Sequence, residues 1–229
     1  QMSSIAVVGT PCQITALKYM GGGIRDLSIF KIGITCSGGM SYLATTEFKR
    51  IMNAQSAKIF YRGDGWPGKN SLITNLSCMN AEHSGSLFER MFSSQIFKNP
   101  GCRYCKDHFA EEADISFCDF WDKDEMAVEH EGISCVIVRS EKAKTLIQAM
   151  EAENYIQIVR DLSETEIESG QMHVLRVKKG VPEKNLSYRL FMMVKEFVFS
   201  HRIYRLFGFK TYQNICRVYN RINKKIHRE

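Results

Sequence analysis

The chain has 229 residues, 44% of them hydrophobic and 24% charged, with 31 basic against 25 acidic side chains. At roughly 100–200 residues per domain this is one large or two small domains with an ordinary core, which excludes disorder, collagen and coiled coil. No stretch reaches the roughly 18 apolar residues of a membrane span, and Gln1-Met2-Ser3-Ser4 lacks the basic and apolar regions of a signal peptide, so a cytoplasmic protein is expected.

The first elements alternate strand and helix. Ile5–Val8 is a short apolar run ending at Gly9. Thr10 follows as a helix cap, Pro11 takes the first helical position, and Ile14, Leu17 and Met20 keep helical spacing. A second unit runs from Leu27–Ile34 through the turn Cys36-Ser37-Gly38-Gly39 into a helix beginning near Ser41. Further strands are predicted at Ala57–Tyr61, Leu72–Leu76 and Cys135–Val138, with helices at Ser86–Phe97 and Glu141–Glu151. The pattern predicts an α/β fold, a mixed β-sheet with flanking helices.

Charge divides the chain. Residues 178–229 carry thirteen Lys and Arg against three Glu, a net +10, which leaves residues 1–177 at −4. The shift falls beside Lys178-Lys179-Gly180-Val181-Pro182 and predicts an α/β domain over 1–177 followed by a basic, mainly helical extension over 178–229. In the extension Leu190, Met193, Val194, Phe197 and Val198 keep helical spacing between the cations. Such a helix suits either plain solvation or an anionic membrane surface reached through residues 182–229, giving a peripheral position at the inner face of the membrane. No nucleic-acid motif accompanies the charge, and no nucleic acid is expected as a partner.

Eight cysteines in a long, core-rich chain point to burial, metal or redox chemistry rather than a disulfide scaffold. Cys102 and Cys105, two residues apart after Pro100-Gly101, can turn both sulfurs toward one point, as thiolate ligation of zinc or an iron–sulfur cluster requires. Cys12 and Cys36 each stand just past a strand, at the turn into a helix. Such turns gather at the carboxyl ends of the strands of an open α/β sheet, where ligands bind. Cys78, Cys135 and Cys216 read as small core residues, and Cys118 stays open. His108 and Asp107 lie beside the cysteine pair as candidates for supporting contacts or proton transfer, with a surface histidine as the default reading of His108.

Several motifs together carry a resemblance. Val8-Gly9-Thr10-Pro11-Cys12-Gln13, Cys36 before its glycines, Tyr61-Arg62-Gly63-Asp64-Gly65-Trp66, Cys102-x-x-Cys105-x-Asp107 and Ala113–Trp121 resemble, in this order, the coenzyme F-420 hydrogenase/dehydrogenase beta subunit family. That family consists of flavin and iron–sulfur oxidoreductases. The resemblance implies a 4Fe-4S cluster on Cys12, Cys36, Cys102 and Cys105, beside an FAD that exchanges hydride with a substrate. It also implies a redox partner, either a ferredoxin-like protein or a hydrogenase- or dehydrogenase-type subunit. Ser37 stands where many relatives have His, and Cys118 where the pattern usually has Gly. Full family members carry a region ahead of the Thr-Pro-Cys segment, so the chain is expected to lack their N-terminal part.

For the flavin, the backbone amides from Gly9 to Gln13, including Thr10 and Gln13, offer donors. Arg62 and Trp66, in a Gly-rich turn, offer charge and stacking, though a plain turn explains them equally. Asp114 and Ser116 share one face of a short strand and, with Asp119, could hold a cofactor hydroxyl or ring N–H; Asp114 serves equally as a turn cap. The leading expectation is an electron-transfer oxidoreductase. Its rivals are a four-cysteine zinc module and a catalytically degenerate scaffold docked by its basic extension.

Overall fold

The computed structural model describes residues 4–20, 27–63, 68–73, 78–82, 87–93, 97–121 and 132–179, together with 190, 193–194, 197–198, 203–208, 210–211, 214–215 and 218. The chain divides into two compact units. One comprises Gln1–Gly39, Gly65–Pro67 and Pro100–Gly180; the other comprises Met40–Asp64, Gly68–Asn99 and Val181–Glu229. Val181–Glu229 belongs to the second of these units.

The first unit is built on a four-stranded mixed sheet. Strands β1 (Ser4–Gly9), β2 (Ser28–Ile34) and β6 (Ile115–Asp119) are parallel, and β7 (Ser134–Val138) adds antiparallel, in the order β1-β2-β6-β7. Helix α1 (Pro11–Ala16) follows β1 directly, and a short 3₁₀ turn over Leu17–Tyr19 ends it. The expected helical spacing therefore stops short of Met20. Within the cap, Thr10 N–H donates to Gln13 Oε1 at 2.9 Å. This is the reach-back half of a capping box, which supplies one helix-end donor with an acceptor.

Helix α4 (Glu141–Ala152) opens on Ser140, whose Oγ accepts from Ala143 N at 3.3 Å. Helix α5 (Glu164–Lys179) buries Gln171, Val174, Leu175 and Lys178, a spacing of three and four that keeps one face inward. Ile14, Ala110 and Ala113 form one small core of this unit, and Cys118, Phe120 and Cys135 form another.

The second unit carries an antiparallel sheet of β3 (Lys58–Gly63), β4 (Lys69–Ile73) and β5 (Cys78–Glu82) in that order, with helices α2 (Leu43–Ile51) and α3 (Leu87–Ser93). Strand β4 begins three residues before the expected start at Leu72. Its partners on both sides set its register, which a run of apolar residues does not reveal. The core here is Ala44, Phe48, Ala54, Ala57, Leu72, Met91 and Phe97.

Val198 from the basic extension packs against that core. Glu47, 0% exposed, accepts from Arg50 Nε at 2.8 Å and from Arg205 of the extension. A fully buried carboxylate needs such partners, so this part of the extension is held by the unit through a specific ion pair. Among the described residues, no helix is long and apolar enough to cross a membrane.

Candidate functional site

The carboxyl ends of β1 and β2 lie side by side, with Gly9 opposite Gly33. Cys12 therefore sits in the first turn of α1, exposed, with Thr10 Oγ1 3.4 Å from its Sγ. Cys36 stands two residues past β2, where Thr35 N–H donates to Phe117 O at 3.0 Å and continues the pairing toward β6.

The turn after Cys36 gathers sulfur. Gly38 N–H points to Cys36 Sγ at 3.3 Å, and Gly39 N–H points to Cys102 Sγ at 3.3 Å. Gly38 has φ 117°, a left-handed conformation that favours glycine, so the Gly-Gly pair is what lets two successive amides face two thiols. Backbone N–H groups aimed at sulfur stabilise thiolate and cluster charge.

Cys36 is held from the other side by His108. The backbone N–H of Cys36 donates to His108 O at 3.0 Å, and His108 Nδ1 lies 3.1 Å from Cys36 O. His108 Nε2 lies 3.1 Å from Gln171 Oε1, and Gln171 Nε2 donates to Asp119 O at 2.6 Å. This buried relay ties the Cys36 turn, the end of β6 and α5 together. His108 is buried rather than the surface histidine that is the default reading, and Asp107 shapes the adjoining turn by accepting from Glu111 N–H.

Cys105 has two neighbours. Its thiol donates to Asp107 O at 3.4 Å, and Lys178 Nζ lies 3.5 Å from its sulfur while also donating to Asp107 O. Lys178 is 4% exposed. A reading of the charge shift assigns Lys178 to the basic extension. In the structure it closes the inward face of α5.

Cys36, Cys102 and Cys105 are thus linked through one turn and the segment 102–108, and Cys12 occupies the neighbouring strand end. Among the described residues, no three His, Cys, Asp or Glu side chains converge closely enough to hold a single metal ion. Amides on two of these sulfurs and a buried ammonium beside a third are surroundings that would suit an anionic iron–sulfur cluster.

The residues read for flavin are placed differently. Gln13 Oε1 accepts from both Thr10 N–H and Thr10 Oγ1. Asp114 lies just before β6, where its Oδ2 accepts from Lys31 N–H at 2.8 Å, so it acts as a cap between β2 and β6. Ser116 Oγ donates to Ala110 O at 3.4 Å and accepts from Arg139 at 2.6 Å. Burial draws the Arg139 guanidinium below its ordinary value, against the opposing pull of Asp107 and Glu111. Arg62 lies on β3 of the second unit rather than in a turn, because the pairing of β3 with β4 extends to Gly63. Trp66 and Cys216 lie outside the described residues. Cys78, expected in the core, is exposed on β5, while Cys118 and Cys135 are buried opposite each other.

A mainly parallel sheet with cysteines in the turns past its strand ends puts those residues where open α/β folds bind ligands. The chain belongs to the family described as the C terminus of the coenzyme F420 hydrogenase/dehydrogenase beta subunit, which matches residues 2–179. The family takes its name from hydrogenase and dehydrogenase subunits, an electron-transfer oxidoreductase class. By fold the chain is similar to a chain in the xenon-derivatised F420-reducing NiFe hydrogenase complex from Methanosarcina barkeri. The TM-score is 0.50 at 18% identity, and the match covers 80% of this chain and 62% of that one. No curated protein matches the sequence.

Proposed function

We propose that this chain is an electron-transfer oxidoreductase subunit that holds a 4Fe-4S cluster on Cys12, Cys36, Cys102 and Cys105 beside FAD. It passes electrons between a ferredoxin-like or deazaflavin-linked partner and a substrate. The observation that carries the reading is the Gly38-Gly39 turn, whose consecutive amides serve the sulfurs of Cys36 and Cys102. When bound, the cluster supplies one-electron transfer and the flavin two-electron hydride chemistry. The chain's own part is to orient the thiols through His108 and the glycine turn, and to place the Lys178 charge beside Cys105. Support for FAD comes from the family, since Thr10, Gln13, Asp114 and Ser116 have polar partners within the chain.

Anaerobic purification after reconstitution with iron and sulfide tests this. A brown protein with about four irons per chain, as a 4Fe-4S centre requires, supports the reading. A colourless protein carrying one zinc overturns it in favour of a zinc module.

The basic extension is a second element of the proposal, as an attachment to an anionic membrane surface. Leu190, Met193, Val194 and Phe197 are exposed in a segment of net charge +10, the composition of an interfacial helix. Sedimentation with vesicles containing phosphatidylserine, lost on deletion of residues 182–229, is the expected result. Absence of binding at low salt overturns it.

A further inference from the structure

We propose that Cys118 and Cys135 are a redox-modification site, closing into a reversible cross-strand disulfide when a small hydroperoxide reaches them. The two residues are direct partners in the antiparallel register of β6 and β7, so their side chains leave the sheet on the same face. Arg139 N–H donates to Asp114 O at 2.9 Å, and in the register of the two strands that pair lies four residues from Cys118 and Cys135. Ladder alternation therefore makes Cys118 and Cys135 a hydrogen-bonded pair, with Cα atoms about 5.5 Å apart. A disulfide spans roughly 4.4–6.8 Å between Cα atoms, a range that includes this separation, and a small local shift that brings the Cβ atoms together completes the closure.

Neither thiol is used by the proposed cluster, and both are reduced in the structure. Their surroundings are Phe120, Leu162 and Ile167, with Cys118 7% and Cys135 3% exposed. The shell is apolar and leaves both sulfurs little exposed, so the oxidant proposed is a small one, hydrogen peroxide, rather than a bulky disulfide such as oxidised glutathione. Two buried thiols in contact also differ from a lone core cysteine, because one can resolve what the other forms. The contact polarises the pair. A hydrogen bond with Cys118 holds the Cys135 thiol below its ordinary range despite burial, and the same bond, reinforced by burial, pushes Cys118 well above it.

One of the two sulfurs, as thiolate, takes one oxygen from hydrogen peroxide, breaking the O–O bond to give a sulfenic acid and, with one proton, water. The other sulfur then displaces that oxygen; the S–S bond forms and the second oxygen leaves as water with the proton released by the second thiol. Two thiols lose two electrons and two hydrogens, and one peroxide becomes two waters. A dithiol reductant reverses the change by exchange.

The test uses the intact chain, purified anaerobically, treated with hydrogen peroxide, alkylated after unfolding and digested without reductant. The expected result is a linked peptide joining Cys118 to Cys135, two hydrogens lighter than the separate peptides, that disappears with dithiothreitol. In Cys135→Ser the linked peptide is lost and Cys118 is recovered alkylated. Recovery of both residues alkylated in the treated wild-type chain, with oxidation confined to Cys12 or Cys78, overturns the proposal. So does linkage of Cys118 to any other cysteine. The readout is a peptide mass, so it stands or falls independently of whether a cluster is bound.

Discussion

Lys178 Nζ lies 3.5 Å from Cys105 Sγ, and the same ammonium donates to Asp107 O. A cation buried beside a cluster ligand favours the reduced, more negative state, because the low-dielectric surroundings screen it little. Lys178→Met is expected to lower the midpoint potential of the proposed cluster in an EPR-monitored redox titration of the reconstituted chain, with Lys178→Arg staying near wild type. An unchanged potential in Lys178→Met removes Lys178 from the site, whatever its effect on stability.

The ligand assignment separates two cysteines of similar chemistry. Cys102 receives the Gly39 amide, whereas Cys78 lies exposed on β5 of the other unit. Cys102→Ala is expected to leave well under half of the wild-type iron after reconstitution, and Cys78→Ala all of it. Equal losses from both variants would refute the assignment.

Local signals made much of this legible. The Thr10-Pro11 start and the strand ending at Gly9 are encoded by adjacent residues, and they place Cys12 in a turn just past a strand. What stayed hidden depends on tertiary partners. Lys178 belongs to a run of basic residues in sequence, yet only the docking of α5 turns it inward. The commitment of Asp114 to Lys31, and of Ser116 to Arg139, spans separate segments of the sheet, so period-two spacing alone leaves their roles open. The hold of Glu47 on Arg205 likewise joins residues that no local pattern pairs.

Gly33 tests how tightly the turn carrying His108 is packed. A Cβ there would stand 2.5 Å from Ala110 Cβ, 2.8 Å from Ser116 Oγ and 3.0 Å from Ala113 Cβ. Two of these atoms are short side chains on a buried turn, with no far end to swing aside. Gly33→Ala is expected to destabilise by about 2 kcal/mol, in the range for overpacking a tight core. A urea midpoint equal to wild type would show that the turn yields freely. If the turn shifts instead, Cys36 loses its His108 partner and iron retention falls with stability.

Ser163 and Glu166 give the clearest dependence on pH. Glu166 N–H donates to Ser163 Oγ at 3.3 Å, and Glu166 Oε2 accepts from Ser163 N–H at 2.8 Å and Ser163 Oγ at 2.6 Å, a complete capping box at the start of α5. The Ser163 hydroxyl, then its backbone N–H and Arg160, lower the Glu166 carboxyl from 4.5 to about 2. A depressed folded-state value means that the contribution is fully present above the ordinary carboxylate range and is lost as pH falls through about 2. Side-chain NMR of Glu166 is therefore expected to titrate near 2 in the wild-type chain. In Ser163→Ala the midpoint moves upward toward 4.5, because two of the three donors weaken while Arg160 remains. Glu166→Gln removes the titrating group and with it the pH dependence of the first turn of α5. A wild-type midpoint near 4.5 would show that the box is open in solution.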